Sequence, residues 1–234
     1  MSIRDNIRHI EELKNEAARM SNRLGEDILL IAVTKLHSPS EINEAIDSGI
    51  TDIGENKVQE ILDKYDKVKP VRWHLIGHLQ TNKVKYIIDK VDLIHSVDSI
   101  KLALEIEKRA AQHDKTMDIL VQVNPVGEET KFGTSTEEAA DLIKEIAERC
   151  PHIRIRGLML VAPFYEDPED TREVFRLVKN MYDEFGSIAH ERIDFKYLSM
   201  GMSHDFQIAI EEGANCIRVG TAIFGDRDYR SEEK

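Results

Sequence analysis

The residues that could do chemistry lie at the two ends of the chain. Near one end, Lys35 closes an unbroken apolar run, Leu29-Leu30-Ile31-Ala32-Val33, with Thr34 between. A run this short reads as a strand buried on both faces, and Lys35 then stands at its carboxyl end. Ser38-Pro39-Ser40-Glu41 follows as a helix start, with Ser38 as N-cap, Pro39 at the first helical position and Glu41 closing a capping box. Ligands of parallel α/β folds bind at that edge. Taken alone, Lys35 could as well be a surface lysine. Near the other end, Ser203 stands where a helical pattern begins, and Gly220-Thr221 follows the last apolar strand. Helix-start N–H groups and a small residue suit a phosphate, although a plain cap and a plain turn would satisfy the same letters. Arg218 could face a ring nitrogen or a phosphate, or pair with a carboxylate. An amine beside a phosphate cradle suits a phosphorylated aldehyde or ketone, because the amine forms a Schiff base while the phosphate anchors the far end.

For these residues to meet, the chain must close on itself. Short apolar segments recur at 29–34, 51–53, 71–76, 93–97, 118–124, 155–161, 196–200 and 215–219. Helical patterns separate them: one opened by Ser38, one from Lys57 to about Val68, one starting at 79–83, and one burying Ile100, Ala103, Leu104 and Ile106. Two more carry a second capping box at Ser135 and Glu138 and an opening at Asp167-Pro168 that leads to Val174, Leu177, Val178, Met181 and Phe185. The last runs from an N-cap at Ser203 to Gly213. Alternating strands and helices at this spacing mean a parallel sheet, and eight repeats predict an α/β fold of the (β/α)8 TIM-barrel type. Ile3, Ile7, Ile10, Leu13, Ala17, Met20 and Leu24 predict an amphipathic helix before the first strand, ended by Gly25. No linker interrupts the pattern, so residues 1–234 read as a single domain. Closure sets strand one beside strand eight and gives Lys35 and the phosphate cradle a common mouth.

The 234 residues carry a net charge of −12, which argues against non-specific nucleic-acid binding. The first residues lack the apolar core of a signal peptide and no window approaches a membrane span, so the expectation is a cytoplasmic protein without membrane contact. Cys150 and Cys216 suggest no disulfide framework. His74 and His78 are four apart but straddle a strand end, so no metal site is expected. Glu128, Glu129 and Lys131 read as a solvated loop with a lid over the mouth as the alternative, and 226–234 as a frayed tail. An acidic barrel without an obvious apolar patch reads as a monomer.

Several long motifs occur in order: Ala32-Val33-Thr34-Lys35, Gly54-Glu55-Asn56-Lys57-Val58-Gln59-Glu60, Trp73 through Lys83, His95-Ser96-Val97-Asp98-Ser99, Gly157-Leu158-Met159, Leu198 through Ser203 with Asp205, and Ile217-Arg218-Val219-Gly220 through Gly225. Over nearly the whole chain they resemble the pyridoxal phosphate homeostasis protein family, the single-domain, alanine-racemase-like type. The resemblance implies a barrel holding pyridoxal 5′-phosphate (PLP) as a Schiff base on Lys35. It places Asn56 in the pocket, Ser199, Met202, Ser203, Gly220 and Thr221 around the phosphate, and Arg218 near the ring.

It also implies a role in holding, buffering or delivering PLP, with PLP-dependent apo-enzymes as receivers and no catalytic residue assigned. The alternative is a PLP-dependent amino-acid racemase. Racemisation needs an acid/base group on each face of the cofactor. Racemases resembling this barrel take the second group from a C-terminal β domain, for which the chain leaves only about a dozen residues after Gly220. A class I aldolase using Lys35 on a sugar phosphate fits the motifs less well. An arginine is a donor only, so Arg218 beside the ring would leave the ring nitrogen unprotonated and make the ring a weaker electron sink than an aspartate partner would.

Overall fold

A computed structural model describes residues 2–128 and 132–225. Its strands are β1 (Leu29–Val33), β2 (Asp52–Glu55), β3 (Arg72–Leu75), β4 (Leu93–Val97), β5 (Met117–Val123), β6 (Ile153–Leu160), β7 (Ile193–Ser199) and β8 (Cys216–Val219). They pair in parallel, each with its neighbour in sequence, and close into a barrel. The seam is the β1–β8 pair, in register from Leu29 opposite Cys216 to Ala32 opposite Val219. The expected (β/α)8 barrel is therefore observed.

Alternation along each strand sorts side chains into two layers. Leu30, Ala32, Ile53, Leu75, Ile94 and Ile217 point outward and pack under the helices. Ile31, Leu93, Leu120, Met159, Tyr197 and Cys216 form a smaller cluster inside the barrel. Beside that cluster lie four buried polar side chains, His74, His95, Ser199 and Arg218, with Arg218 in register with Ile31, His74 with Leu93 and Ser199 with Met159.

The outer layer comprises α2 (Pro39–Asp47), α3 (Val58–Lys64), α4 (Ile100–Gln112), α5 (Thr136–Arg149), α6 (Arg172–Gly186), α7 (Phe206–Glu211) and α8 (Thr221–Phe224), preceded by α1 (Ile3–Met20). The Ser38 capping box forms in full: the hydroxyl accepts from the Glu41 N–H while the Glu41 carboxylate accepts from the Ser38 N–H. At Ser135 the hydroxyl accepts from the Glu138 N–H.

Several expectations need correction. Helix α1 ends at Met20, because Asn22 enters the left-handed region at φ 56°, and Met20 and Leu24 lie exposed. Leu177 faces outward from α6. The helix expected from 79–83 is a 3-10 segment, Thr81–Tyr86; Val84 and Ile87, three apart and both buried, match its three-residue turn. Ser203 is not a helix cap, since α7 begins later, with Asp205 in the cap position. Glu129, Lys131 and the tail from Asp226 lie outside the described residues.

Candidate cofactor site

Beyond β1 the backbone continues through Thr34 to Lys35. The Thr34 N–H donates to the Gly54 carbonyl at 3.0 Å, extending the β1–β2 ladder by one rung. Asn56 lies one residue past β2. The β3 end passes close to it because residue 77 is glycine: a Cβ there would sit 2.3 Å from the Asn56 carbonyl oxygen. After β7 the chain reverses at Gly201, whose φ of +91° favours glycine and where a Cβ would meet Ala209 at 2.6 Å. That reversal aims Ser203 away from α7 and toward α8. The Ser203 hydroxyl accepts from the N–H groups of Gly220 at 3.2 Å and Ala222 at 3.4 Å.

These turns enclose a cavity of about 350 Å³ at the carboxyl end of the barrel. Lys35, Asn56, Met202, Ser203, Arg218, Gly220 and Thr221 line it, together with Val33, Ile76, Val161 and His204. Seven of the eight residues proposed from sequence thus share one cavity. The eighth, Ser199, is fully buried and is not part of the lining; its hydroxyl accepts from Arg218 Nη1 at 2.6 Å. Ser199 supports the arginine that lines the cavity. His204 was missed by sequence reading, although it adjoins Ser203. Its ring stacks on the exposed Phe164, centroids 5.5 Å apart.

Arg218 is nearly buried, and its side-chain bonds run to neutral acceptors, the Ser199 hydroxyl and the Leu160 carbonyl at 2.8 Å. Burial lowers its pKa. Guanidinium remains charged in proteins even so, and the remaining N–H groups are available to a ligand. Behind Ser199 a polar chain crosses the barrel. Its hydroxyl is hydrogen-bonded to His95 Nδ1 at 3.0 Å, His95 Nε2 to His74 Nδ1 at 3.0 Å, and His74 Nε2 to Asp52 at 2.8 Å. Burial, then the charges of His74 and Arg218, hold His95 well below the usual histidine range, so His95 is neutral. Asp205, which accepts from the Met202 N–H at 2.6 Å, has its pKa raised by burial.

Sequence pattern did not reveal the chain from Asp52 to Arg218. One signal was present: Asp52, His74, His95 and Ser199 each fall on the inward parity of their strands. The pair His74 and His78 does not act together. His74 belongs to the interior, whereas His78 stacks on Phe132 with centroids 3.8 Å apart. Among the described residues no group of three or more His, Cys, Asp or Glu side chains is arranged to hold a metal, and no helix is long and apolar enough to cross a membrane. Cys216 is buried, and burial pushes its thiol up to about 12, in keeping with an inert core position.

The family model for the alanine racemase N-terminal domain matches residues 9–228 of this eight-stranded barrel. At the finer level, the chain belongs to the pyridoxal phosphate homeostasis protein family. A relative of that name from Aquifex aeolicus is 41% identical over 98% of this chain and all of its own length. Another from Escherichia coli K12 is 35% identical over 97% of both chains. The structure of PipY from Synechococcus elongatus with PLP bound superposes with a TM-score of 0.80 at 31% identity, covering 91% of this chain and 100% of PipY. An alanine racemase from Clostridium difficile, 16% identical, superposes with a TM-score of 0.73 over 98% of this chain and 58% of its own, a likeness of fold.

Proposed function

We propose that this protein holds PLP on Lys35 and serves intracellular PLP homeostasis by buffering the cofactor or delivering it to apo-enzymes. The observation that carries the reading is the meeting of Lys35 with Ser203, Arg218, Gly220 and Thr221 in one cavity. The donor set fits the cofactor. Lys35 supplies an amine for the aldehyde, and the N–H groups at the start of α8 already converge on an oxygen, that of Ser203. Arg218 brings a buried charge whose hydrogen-bond partners are neutral, with the Asp205 carboxylate near enough to act on it. Bound PLP would supply a reversible imine and an electron-withdrawing ring. The protein's own residues do the rest: Lys35 sits at the mouth, the Ser203–Gly220 corner takes the anionic end, and Asn56, Ile76 and Val161 wall the space between.

Holding is favoured over turnover by the chemistry of Arg218. An arginine cannot accept a hydrogen bond from a protonated ring nitrogen, so Arg218, if it faces that nitrogen, would leave it unprotonated and the ring a weaker electron sink than a carboxylate partner would. PipY with PLP bound, and relatives named for PLP homeostasis, support the same choice. A racemase would need a second acid/base group across the cofactor from Lys35. Among the described lining residues, His204 is the titratable side chain left for that role.

Borohydride treatment of protein incubated with PLP should fix the cofactor to the peptide carrying Lys35, and Lys35→Ala should abolish the label. A wild-type protein that stays colourless and unlabelled would sink the reading. Incubation with L- and D-amino acids in deuterated water separates carrier from racemase. Negligible α-proton exchange, with transfer of PLP to an apo-enzyme that depends on Lys35, supports the carrier; rapid exchange with inversion, lost in Lys35→Ala, establishes the enzyme.

A further inference from the structure

Directly behind Lys35 lies a buried charged cluster with no part in the cavity lining. The Lys64 ammonium, near the end of α3, donates to Glu55 Oε1 at 2.8 Å, to Glu60 Oε2 at 2.7 Å and to the Thr34 carbonyl at 2.9 Å. An ammonium has three N–H bonds, and three acceptors meet it. Both carboxylates reach on to the lysine's neighbours. Glu55 Oε1 accepts from the Thr34 hydroxyl at 2.7 Å, and Glu60 Oε2 accepts from the Leu36 N–H at 2.6 Å. The residue before Lys35 and the residue after it are therefore both tied to one set of charges.

The backbone shows what the ties hold. Leu36 adopts φ +67°, the left-handed region that a residue with a branched side chain seldom enters. A strained conformation persists where its surroundings over-determine it. Here the short bond from Leu36 N–H to Glu60 supplies part of that determination, and the turn it enforces leaves Lys35 at the cavity rather than further along a strand. Packing alone would not call for this cluster. Glu55 is fully buried, its Oε2 has no hydrogen-bond partner, and burial, despite the opposing effect of Lys64, pushes its pKa up to about 7. Apolar side chains at 55 and 64 would fill the same space without desolvating charges. The charged groups acting on Glu55 are Lys64 and Glu60, both from α3; Lys57 also acts on Glu60.

We propose that Glu55, Lys64 and Glu60 are positioning residues for Lys35, gripping the backbone on both sides of it so that its amine is presented to an incoming aldehyde. The assignment rests on the reading of Lys35 as the PLP-binding lysine. It separates two steps that share the cavity: anchoring of the phosphate at Ser203 and Gly220, which the clamp does not touch, and capture of the aldehyde at Lys35, which it controls.

The decisive variant is Glu60→Gln, because Glu60 is partly exposed at the helix surface and its replacement leaves the Glu55–Lys64 pair in place. Two quantities are measured: the rate at which the imine absorbance appears on mixing with PLP, and the Kd of pyridoxine 5′-phosphate, which carries the phosphate but no aldehyde. Capture should slow about tenfold in Glu60→Gln, and more in Lys64→Met, as displacement of a reacting group predicts. The pyridoxine 5′-phosphate Kd should stay within about twofold of wild type. Unchanged capture in folded Glu60→Gln, or a parallel loss of both quantities, would overturn the clamp. A wild-type protein that captures no aldehyde yet binds pyridoxine 5′-phosphate would instead overturn the role of Lys35, and the clamp with it.

Discussion

Two buried polar networks support the cavity, and they are built on opposite principles. The one behind Lys35 is ionic and local, joining residues 34–36 to Glu55, Glu60 and Lys64 across the first two βα units. The one behind Arg218 is a hydrogen-bonded relay, running from the Asp52 carboxylate through His74, His95 and Ser199 and so touching five strands of the barrel. The first grips main chain and sets where a side chain starts. The second grips the guanidinium itself and sets where a side chain ends. If Lys35 is the residue that captures an aldehyde, fixing its root sets where the amine can reach, whereas fixing the Arg218 guanidinium sets where its charge stands.

The largest effect that separates the networks should come from Arg218→Leu. Loss of a buried charged donor should weaken PLP retention by about 3 kcal/mol, the upper range for charge-assisted bonds. Thermal stability should hold or rise, because a desolvated charge is removed. A parallel fall in stability, read by thermal melting, would show that the arginine is a structural strut. Next, His95→Phe should destabilise the fold by about 2 kcal/mol, since Ser199 and His74 both lose a buried partner. His95→Asn, which restores a polar atom near Nδ1, should recover part of that loss in a urea titration. Equal stability of the two variants would break the relay.

Glu55→Gln tests the ionic network through pH. The Glu55 pKa lies near 7 in the folded protein against an ordinary 4.5, so the folded state holds this proton more tightly than the unfolded chain does. Its contribution to stability is then fully present below pH 4.5 and is lost as the pH rises through 7. Relative to wild type, the melting temperature of Glu55→Gln should therefore climb by a few degrees between pH 4.5 and 8. A constant difference across that window would show that Glu55 ionises normally. The smallest effect belongs to Ser203→Ala, about 1–2 kcal/mol of cofactor binding. If the unphosphorylated aldehyde, pyridoxal, binds wild type as tightly as PLP, the Ser203–Gly220 corner is not a phosphate site.

Legibility from sequence followed the same division. The run before Lys35 announced a strand because each of its residues is apolar, and Ser38-Pro39-Ser40-Glu41 announced the helix because a capping box is a local device. The strand expected at 51–53 continues instead to Glu55, since a carboxylate reads as surface until the lysine that compensates it, nine positions on, is known to reach back. Ser203 looked like a helix cap because Ser before a helical pattern usually is one. Only the turn at Gly201, set by tertiary contact with α7, shows that the hydroxyl serves the next βα unit. The histidine relay was harder still, because its links join strands far apart in sequence and parity alone does not say which inward polar residues touch.

One feature of the barrel reaches beyond binding. The seam between β1 and β8 is the join on which the cavity depends, with Lys35 just past one edge and Arg218, Gly220 and Thr221 on or beyond the other. Joining segments this distant in the chain carries a loop-closure cost, and contacts of such long range are slow to form. During synthesis the amine emerges early, and the anion cradle exists only after the last strand docks. A ligand that bridges the seam binds the closed barrel and not the open one, so its free concentration adds directly to the stability of closure. A ligand of this kind would then protect the closed barrel from proteolysis in proportion to its free concentration.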